Sequence, residues 1–467
     1  MTVNRILFRV RLKLLISGVL FFLLNFFHIV VASTSSINFN ENGFFRFIEF
    51  FSSFEWWRLL LALGIFVVQI IISYIIMFRR FSKAELVRID ETGIVGNNSE
   101  KLLQNLRIDP KKIYKWVHEQ AEEHKIKSVK RIYLTDTSIP NAMTLDVIPL
   151  PFIRSSWIVL DVNVLEILDE REIRAVISHE LGHVKRLDGV VNLFRYGINY
   201  YAFLAYLIII LEMIRLIIAD TSASALDYLI RIGFLLLLII IIWAFTILNR
   251  LLLNYSRRQS ELMADYYAAQ RIGRNHIINA LVLLGQRLDV ITAFGTEFKW
   301  LGSRESKKDV SREFLQGLKD LPQEELSKKI SREQAVYIYV QQRLKNMKED
   351  LYVPLTDEQI KELTADASKK LLALREEQLT KGLVKDRKKT SEVKKLTIDW
   401  FLIDKDKDLY LKDDEVDNLV KEIIVNPNKE LFEHDLYPRR AILVRDHPSM
   451  KDRIIFLYYA IPKNSSS

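Results

Sequence analysis

The chain has 467 residues and no cysteine, which excludes disulfide frameworks, zinc fingers and iron–sulfur clusters. Charged residues make up 27% and the formal net charge is +9, yet the apolar residues, 49% of the total, gather in four blocks. We attribute the basic balance to membrane topology and expect no nucleic-acid partner.

The four apolar blocks predict four transmembrane helices, because each approaches the roughly 20 residues that a helix needs to cross hydrocarbon. They cover residues 14–32, 59–78, 201–219 and about 229–248. Lysine and arginine flank the outer ends of both pairs of blocks, whereas the loops within each pair carry few positive charges. The positive-inside rule therefore places both termini and the large polar segments in the cytoplasm.

Between the second and third blocks, the segment DEREIRAVISHELGHVKRLD predicts a helix with Asp169 as its N-cap. His179 and His183 are four residues apart and share one helix face, so both imidazoles can bind one cation. Glu180 is rotated by about 100° from His179, which directs its carboxylate toward a water on the metal. This pattern predicts zinc-dependent hydrolysis with Glu180 as the general base.

A catalytic zinc site needs a third protein ligand and one open position. The metzincin class is excluded, because Arg186 and Gly189 stand where it has glycine and histidine. After the fourth block, RRQSELMADYYAA places Glu261 and Asp265 four residues apart on one helix face. Glu261 is the candidate third ligand, and Asp265 could hold a ligand histidine. An acidic helix face beside basic residues is the alternative interpretation.

This order of motifs resembles the HtpX-like membrane zinc metalloproteases, relatives of the CAAX prenyl proteases. That family has two spans, an HExxH helix, two more spans and an ExxAD helix. The resemblance covers residues 1–295 and 437–460. It implies one Zn²⁺ per chain, with His179, His183 and Glu261 as ligands and Glu180 as general base.

Flanking positions of the ExxAD helix also bear on the resemblance. Asp265 matches the aspartate four residues after the ligand glutamate, and Arg258 matches an arginine three residues before it. Arg257 and Ser260 stand where the family often has serine and arginine. These departures affect the flanks of the motif and not the ligands.

Two further segments match the same family. The segment IPNAMTLD at 139–146 resembles an edge strand at which Asn141 and Ala142 would pair with a substrate backbone. Near the C-terminus, HPSMKDRI at 447–454 resembles a His-Pro…Arg-Ile element, which implies that His447 or Arg453 stabilises an oxyanion. Capping and docking of a terminal helix explains these two residues equally well.

The predicted fold is mainly α-helical and integral to the membrane, with four transmembrane helices and a zincin-type α+β catalytic domain that has a small sheet. We place the domain boundaries as follows: first helix pair 1–90, first catalytic part 91–190, second helix pair 191–255, third-ligand helix 256–295, charged helical insertion 296–436 and docking C-terminal element 437–467. The insertion departs from the family, and helical periodicity predicts helices within it at 311–321, 332–351 and 356–379. We expect it to cover or regulate the cleft.

Within the insertion, DKDKDLYLKDDE at 404–415 resembles an EF-hand calcium loop. Asp404, Asp406 and Asp408 fall at loop positions 1, 3 and 5, and Glu415 falls at position 12. Leu409 stands where such a loop has glycine, and we find no second loop to pair with it. We therefore expect a solvated acidic loop between two helices, with Ca²⁺ binding as the alternative.

The predicted function is that of an integral-membrane zinc endopeptidase acting on membrane-associated or misfolded proteins in protein quality control. We expect a multi-pass protein of a bacterial inner membrane with a cytoplasmic catalytic domain, whose partners are the lipid bilayer and protein or peptide substrates. One alternative is a CAAX-type prenyl-protein protease, although that branch has more than four spans. The other is an inactive membrane scaffold, against which the intact metal motif argues.

Overall fold

A computed structural model describes residues 3–33, 56–82, 86–95, 108–135, 140–148, 154–186, 224–297, 332–351, 356–386, 397–432 and 447–461, except 407 and 409. Isolated residues at 106, 188–189, 197, 206–207, 210–211, 214 and 317 are also described. The chain divides into two compact units. One comprises Met1–Ala84, Leu187–Glu261 and Arg440–His447, and the other comprises Glu85–Arg186, Leu262–Arg439 and Pro448–Ser467.

The fold is mostly helical with a small mixed sheet, as predicted. The helices of the described residues are α1 (Val3–Ser33), α2 (Trp56–Ser82), α3 (Pro110–Glu123), α4 (Val162–Ile167), α5 (Glu170–Arg186), α6 (Ala225–Ile272), α7 (Arg274–Glu297), α8 (Arg332–Leu351), α9 (Asp357–Asp386), α10 (Trp400–Ile403), α11 (Asp413–Val425) and α12 (Met450–Ala460). The strands are β1 (Leu86–Asp90), β2 (Gly93–Val95), β3 (Val129–Thr135), β4 (Ala142–Ile148) and β5 (Ser155–Asp161).

The first unit contains apolar helices that are joined by buried hydrogen bonds. Ser17 of α1 donates to the Asn249 side chain of α6 over 3.0 Å. Gln69 of α2 donates to the Asn25 side chain of α1 over 2.8 Å. Polar side chains inside an apolar bundle are stable only when paired in this way, so these bonds set how the helices align.

The predicted first and second spans lie within α1 and α2, and the fourth lies within α6. The third, residues 201–219, falls largely outside the described residues. Among the residues that are described, α6 is long and apolar enough to cross a membrane, and α2 contains a shorter apolar stretch, Leu63–Ile76. Four spans therefore stay a prediction.

The second unit contains a mixed sheet with the strand order β2-β1-β3-β5-β4. Strands β3 and β5 are parallel, and the other pairs are antiparallel. Strand β4 lies at the edge, where Ala142 is opposite Leu160 and Thr144 is opposite Ile158 of β5. The segment predicted as an edge strand is thus β4, and β5 leads directly into α4.

Helix α5 begins with a capping box. The Glu172 amide donates to the Asp169 carboxylate over 2.8 Å, and the Asp169 amide donates to Glu172 over 3.0 Å. The predicted N-cap is therefore confirmed. Ile173, Ile177 and Leu181 recur every four residues and are fully buried in a core with β3 and β5. This packing fixes the helix on the sheet.

The end of the insertion belongs to the core of the second unit. Val416 and Leu419 of α11 are buried in one cluster with Ile278 of α7 and Ala175 of α5. Gly285 allows the Phe432 ring to pack directly against helix α7, since a Cβ at position 285 would overlap that ring.

The structure describes two of the three helices that are predicted between residues 311 and 379 of the insertion. The segments predicted at 332–351 and 356–379 are helical, as α8 and within α9. The segment at 311–321 lies outside the described residues apart from position 317.

Candidate metal centre

Two imidazole nitrogen atoms converge beside helix α5. Nε2 of His179 and Nε2 of His183 are 3.1 Å apart. Two nitrogen ligands of a tetrahedral cation such as zinc lie about 3.3 Å from each other when each is about 2.0–2.1 Å from the ion. The two histidines therefore need almost no movement to bind one metal ion.

Glu180 completes a group whose ligand atoms lie within 4.8 Å of one another together with those of His179 and His183. It is buried, and its Oε2 accepts a hydrogen bond from the Thr144 hydroxyl over 2.8 Å. The same hydroxyl is 3.0 Å from the Glu180 carbonyl oxygen. Since Thr144 stands on β4, the edge strand positions this carboxylate. Sequence reasoning missed Thr144, because a strand hydroxyl has no fixed spacing from a helical motif.

Asp265 lies against the side of His179 that faces away from His183. Its Oδ1 is 2.8 Å from Nδ1 of His179, and the carboxylate is completely buried. A proton on Nδ1 then faces the carboxylate and leaves the lone pair on Nε2. That tautomer is the one in which Nε2 can bind a metal ion.

Arg453 of α12 binds both oxygen atoms of Asp265. Its Nε donates to Oδ2 over 2.7 Å and its Nη2 donates to Oδ1 over 2.6 Å. Burial raises the pKa of Asp265, but the charge and hydrogen bonds of Arg453, followed by those of His179, outweigh burial and hold that pKa below its ordinary value. This contact gives Arg453 a role in orienting Asp265. Stabilisation of an oxyanion by Arg453 stays a prediction.

The predicted third ligand belongs to the first unit. Glu261 lies on α6 and is 8% exposed. Its Oε1 is 3.3 Å from Nδ1 of His447. Arg258, three residues earlier on the same helix, is partly buried. The roles assigned to these three residues stay predictions.

The segment predicted as the substrate strand is the edge strand β4. The Asn141 carbonyl accepts from the Asp161 amide over 2.9 Å, and Ala142 pairs with Leu160. In the part of the chain that the structure describes, β5 is the one strand that pairs with β4. Pairing of a substrate backbone with the opposite edge of β4 stays a prediction.

The acidic loop of the insertion brings three of its four predicted calcium ligands together. Carboxylate oxygens of Asp404, Asp406 and Asp408 lie within 4.8 Å of one another. Glu415 binds the loop backbone instead, with Oε1 accepting from the Lys405 amide over 2.8 Å.

Residues 109–316 match the family model of peptidase family M48. This span includes the HExxH motif and the ExxAD motif. A protease HtpX homolog of Sulfurihydrogenibium sp. (strain YO3AOP1) is 32% identical over 80 residues, which is 16% of this chain. The match spans 26% of the length of that relative. No solved structure matches the chain.

Proposed function

We propose that this metallopeptidase, which resembles the HtpX-like proteases of family M48, is an integral-membrane zinc endopeptidase that hydrolyses membrane-associated or misfolded proteins. The observation that carries the proposal is the approach of Nε2 of His179 to Nε2 of His183, 3.1 Å apart, beside Glu180. Imidazole nitrogen with carboxylate oxygen is a donor set that suits zinc in a hydrolytic site.

His179, His183 and Glu261 would hold the ion. The support for Glu261 is its buried carboxylate and its place one helical turn before Asp265 on α6. Asp265 orients His179, and Arg453 in turn keeps Asp265 ionised. Such a partner behind a ligand histidine typically strengthens metal binding by 10–100-fold.

When bound, zinc supplies a Lewis acid that polarises the scissile carbonyl and lowers the pKa of the attacking water. Glu180 takes the proton from that water and delivers it to the leaving amine. The Thr144 hydroxyl supports this role, because it holds Oε2 of Glu180 and leaves Oε1 to receive the proton. We assign stabilisation of the oxyanion to His447, since Arg453 donates two of its nitrogen atoms to Asp265.

We propose that substrates bind as an added strand on β4. The strand lies at the edge of the sheet, and Thr144 connects it to Glu180. A peptide paired there would bind through its backbone, which suits substrates of varied sequence such as misfolded proteins.

A membrane location is supported by large apolar side chains on the helix surfaces of the first unit. Phe8 of α1 is 66% exposed, Leu60 of α2 is 68% exposed and Leu229 of α6 is 70% exposed. An apolar surface of this kind is stable in lipid but not in water. We propose a multi-pass protein of a bacterial inner membrane. The distribution of lysine and arginine supports an orientation with the catalytic residues and both termini on the cytoplasmic side.

The proposal is tested with Glu180→Gln in detergent-purified protein. The variant should keep its zinc, because Glu180 is not a ligand, and should cleave an unfolded protein about 10²–10⁴-fold more slowly. The control is Glu170→Gln, an exposed glutamate at the start of the same helix, which should retain wild-type activity. Near-normal turnover by zinc-loaded Glu180→Gln protein would contradict the mechanism.

Substrates can be identified by comparing membrane proteomes of cells that express the wild type or Glu180→Gln. Accumulation of intact membrane proteins in the variant supports the proposal. Cleavage of prenylated peptides in preference to unfolded protein would instead favour the CAAX-type alternative.

A further inference from the structure

The ammonium group of Lys412 lies among the acidic side chains of the 404–415 loop. Nζ of Lys412 contacts the Asp406 carboxylate and lies 3.3 Å from Oδ2 of Asp408. Hydrogen bonds to Asp406 and Asp408 raise the pKa of Lys412, and the bond from Lys412 lowers the pKa of Asp406. The ammonium group thus sits beside the clustered carboxylates that a calcium ion would bind in a loop of this pattern.

The carboxylate of Glu415 accepts hydrogen bonds from backbone amides of the same loop. Its Oε1 accepts from the Lys405 amide over 2.8 Å and its Oε2 accepts from the Lys412 amide over 3.0 Å. In a calcium loop both oxygen atoms of the position-12 glutamate bind the ion. Here both oxygen atoms close the loop and cap the start of α11.

Leu411 attaches the loop to helix α7. Its amide donates to Oδ1 of Asn279 over 2.7 Å, and Nδ2 of Asn279 donates to its carbonyl over 3.2 Å. Leu411 is 2% exposed and Asn279 is fully buried. One carboxamide therefore satisfies both backbone groups of a buried loop residue, as a neighbouring strand would.

Tyr410 brings the loop close to the helix of the metal centre. Its hydroxyl is 3.3 Å from Nδ1 of His276 on α7. Burial raises the pKa of Tyr410, and the negative charges of Glu172 and Asp169 at the start of α5 raise it further. The loop thus docks where α7 meets the start of the helix that carries His179 and His183.

We propose that Lys412 is the resident cation of this loop, and that the described residues of the loop, with α10 and α11, dock on α5 and α7 without a metal ion. The contacts of Lys412 and Glu415 close the loop, and those of Asn279 attach it to α7. An incoming calcium ion would meet a like charge and would lack the glutamate ligand. The loop has the residue pattern of a calcium site, but its function is to attach this part of the chain to α5 and α7 through contacts that need no metal ion.

The test is hydrogen exchange of full-length protein in detergent, followed in the peptide that contains residues 404–416. Lys412→Gln should exchange roughly two- to fivefold faster than the wild type in EDTA, the range expected for partly exposed ion pairs. Lys405→Gln is the matched control, because it removes the same charge from the same loop and should leave the rate unchanged. Lys412→Arg, which keeps the charge, should retain most of the protection.

Calcium provides the second arm of the test. About 5 mM calcium, above the dissociation constants of weak calcium loops, should leave exchange of the wild-type peptide unchanged. Calcium-dependent protection of the wild-type peptide would overturn the proposal and make calcium the native occupant. Equal exchange rates in Lys412→Gln and Lys405→Gln would also overturn it, because Lys412 would then not hold the loop closed.

Discussion

Asp265 and Arg453 form a two-bond ion pair in which the Asp265 side chain is completely buried and the Arg453 side chain is 16% exposed. The same carboxylate is 2.8 Å from Nδ1 of His179. The C-terminal helix α12 is thereby connected to a candidate metal ligand through one intermediate side chain. The two ends of this series of contacts, His179 and Arg453, are 274 positions apart in the chain (453 minus 179).

We expect Arg453→Ala to lower the free energy of unfolding by roughly 3–5 kcal/mol, because it removes the guanidinium that balances the charge of a buried carboxylate. It should also weaken zinc binding by about 10–100-fold, since Asp265 no longer holds His179 in place. Denaturation and competition with a chelator measure the two effects. Arg453→Lys, which keeps the charge but not both hydrogen bonds, should fall between the wild type and Arg453→Ala. Wild-type zinc affinity in Arg453→Ala would refute the positioning role.

Glu261→Ala should purify without zinc, because two imidazoles alone form an incomplete site. Asp265→Ala should retain zinc with affinity reduced by about 10–100-fold. Metal analysis of the purified proteins separates the two residues. Gln259→Ala, on the same helix, is the control and should retain full zinc. If Glu261→Ala also retained full zinc, another carboxylate would have to be the third ligand.

Thr144→Val should leave zinc content unchanged and reduce kcat by about 10–100-fold, the loss expected when a carboxylate loses a hydrogen bond worth 1.5–3 kcal/mol. Thr144→Ser keeps the hydroxyl and should keep most of the activity. The measurement is the cleavage rate at saturating substrate. Equal rates for the serine and valine variants would show that the bond to Glu180 does not position the general base.

His124 should make the protein less stable in acid. The side chain is 4% exposed, and burial, together with the charges of Arg271 and Lys185, lowers its pKa from 6.5 to about 4. Between these two values the unfolded chain binds a proton that the folded chain excludes, so stability is full above pH 6.5 and falls as the pH falls toward 4.

We therefore expect His124→Phe to reduce the pH dependence of unfolding by as much as about 1.4 kcal/mol per pH unit over this range. The measurement compares the free energy of unfolding at several pH values. His118→Phe, on helix α3, whose C-cap is His124, controls for the loss of a histidine ring. An unchanged slope in His124→Phe would show that His124 takes up its proton without unfolding.

The proposed topology can be tested by labelling, because the chain has no cysteine of its own. Cysteines introduced at Ser36 and Ser222 should react with an impermeant thiol reagent in intact cells, and one at Ser306 should react only after lysis. The charge bias of the flanking segments is the physical reason. The reverse labelling pattern would place the catalytic residues on the opposite side of the membrane.

The sequence by itself determined the helix of the metal centre and its start. An i, i+4 pair of histidines must share a face of any helix, and Asp169 with Glu172 forms a capping box from local spacing alone. Helical periodicity likewise predicted α8 and most of α9, whereas the strand β4 was expected from the family resemblance.

Only the tertiary structure decided which distant side chains meet. Thr144 bonds to Glu180, Arg453 binds Asp265, and Asn279 pairs with Leu411, and no spacing rule connects the members of these pairs. Helical and strand periodicity acts over a few residues, whereas each of these contacts depends on how separate elements pack around a shared core. For the same reason the loop pattern left calcium binding open as an alternative, while the positions of Lys412 and Glu415 in the folded chain support the proposal that Lys412 is the cation of this loop.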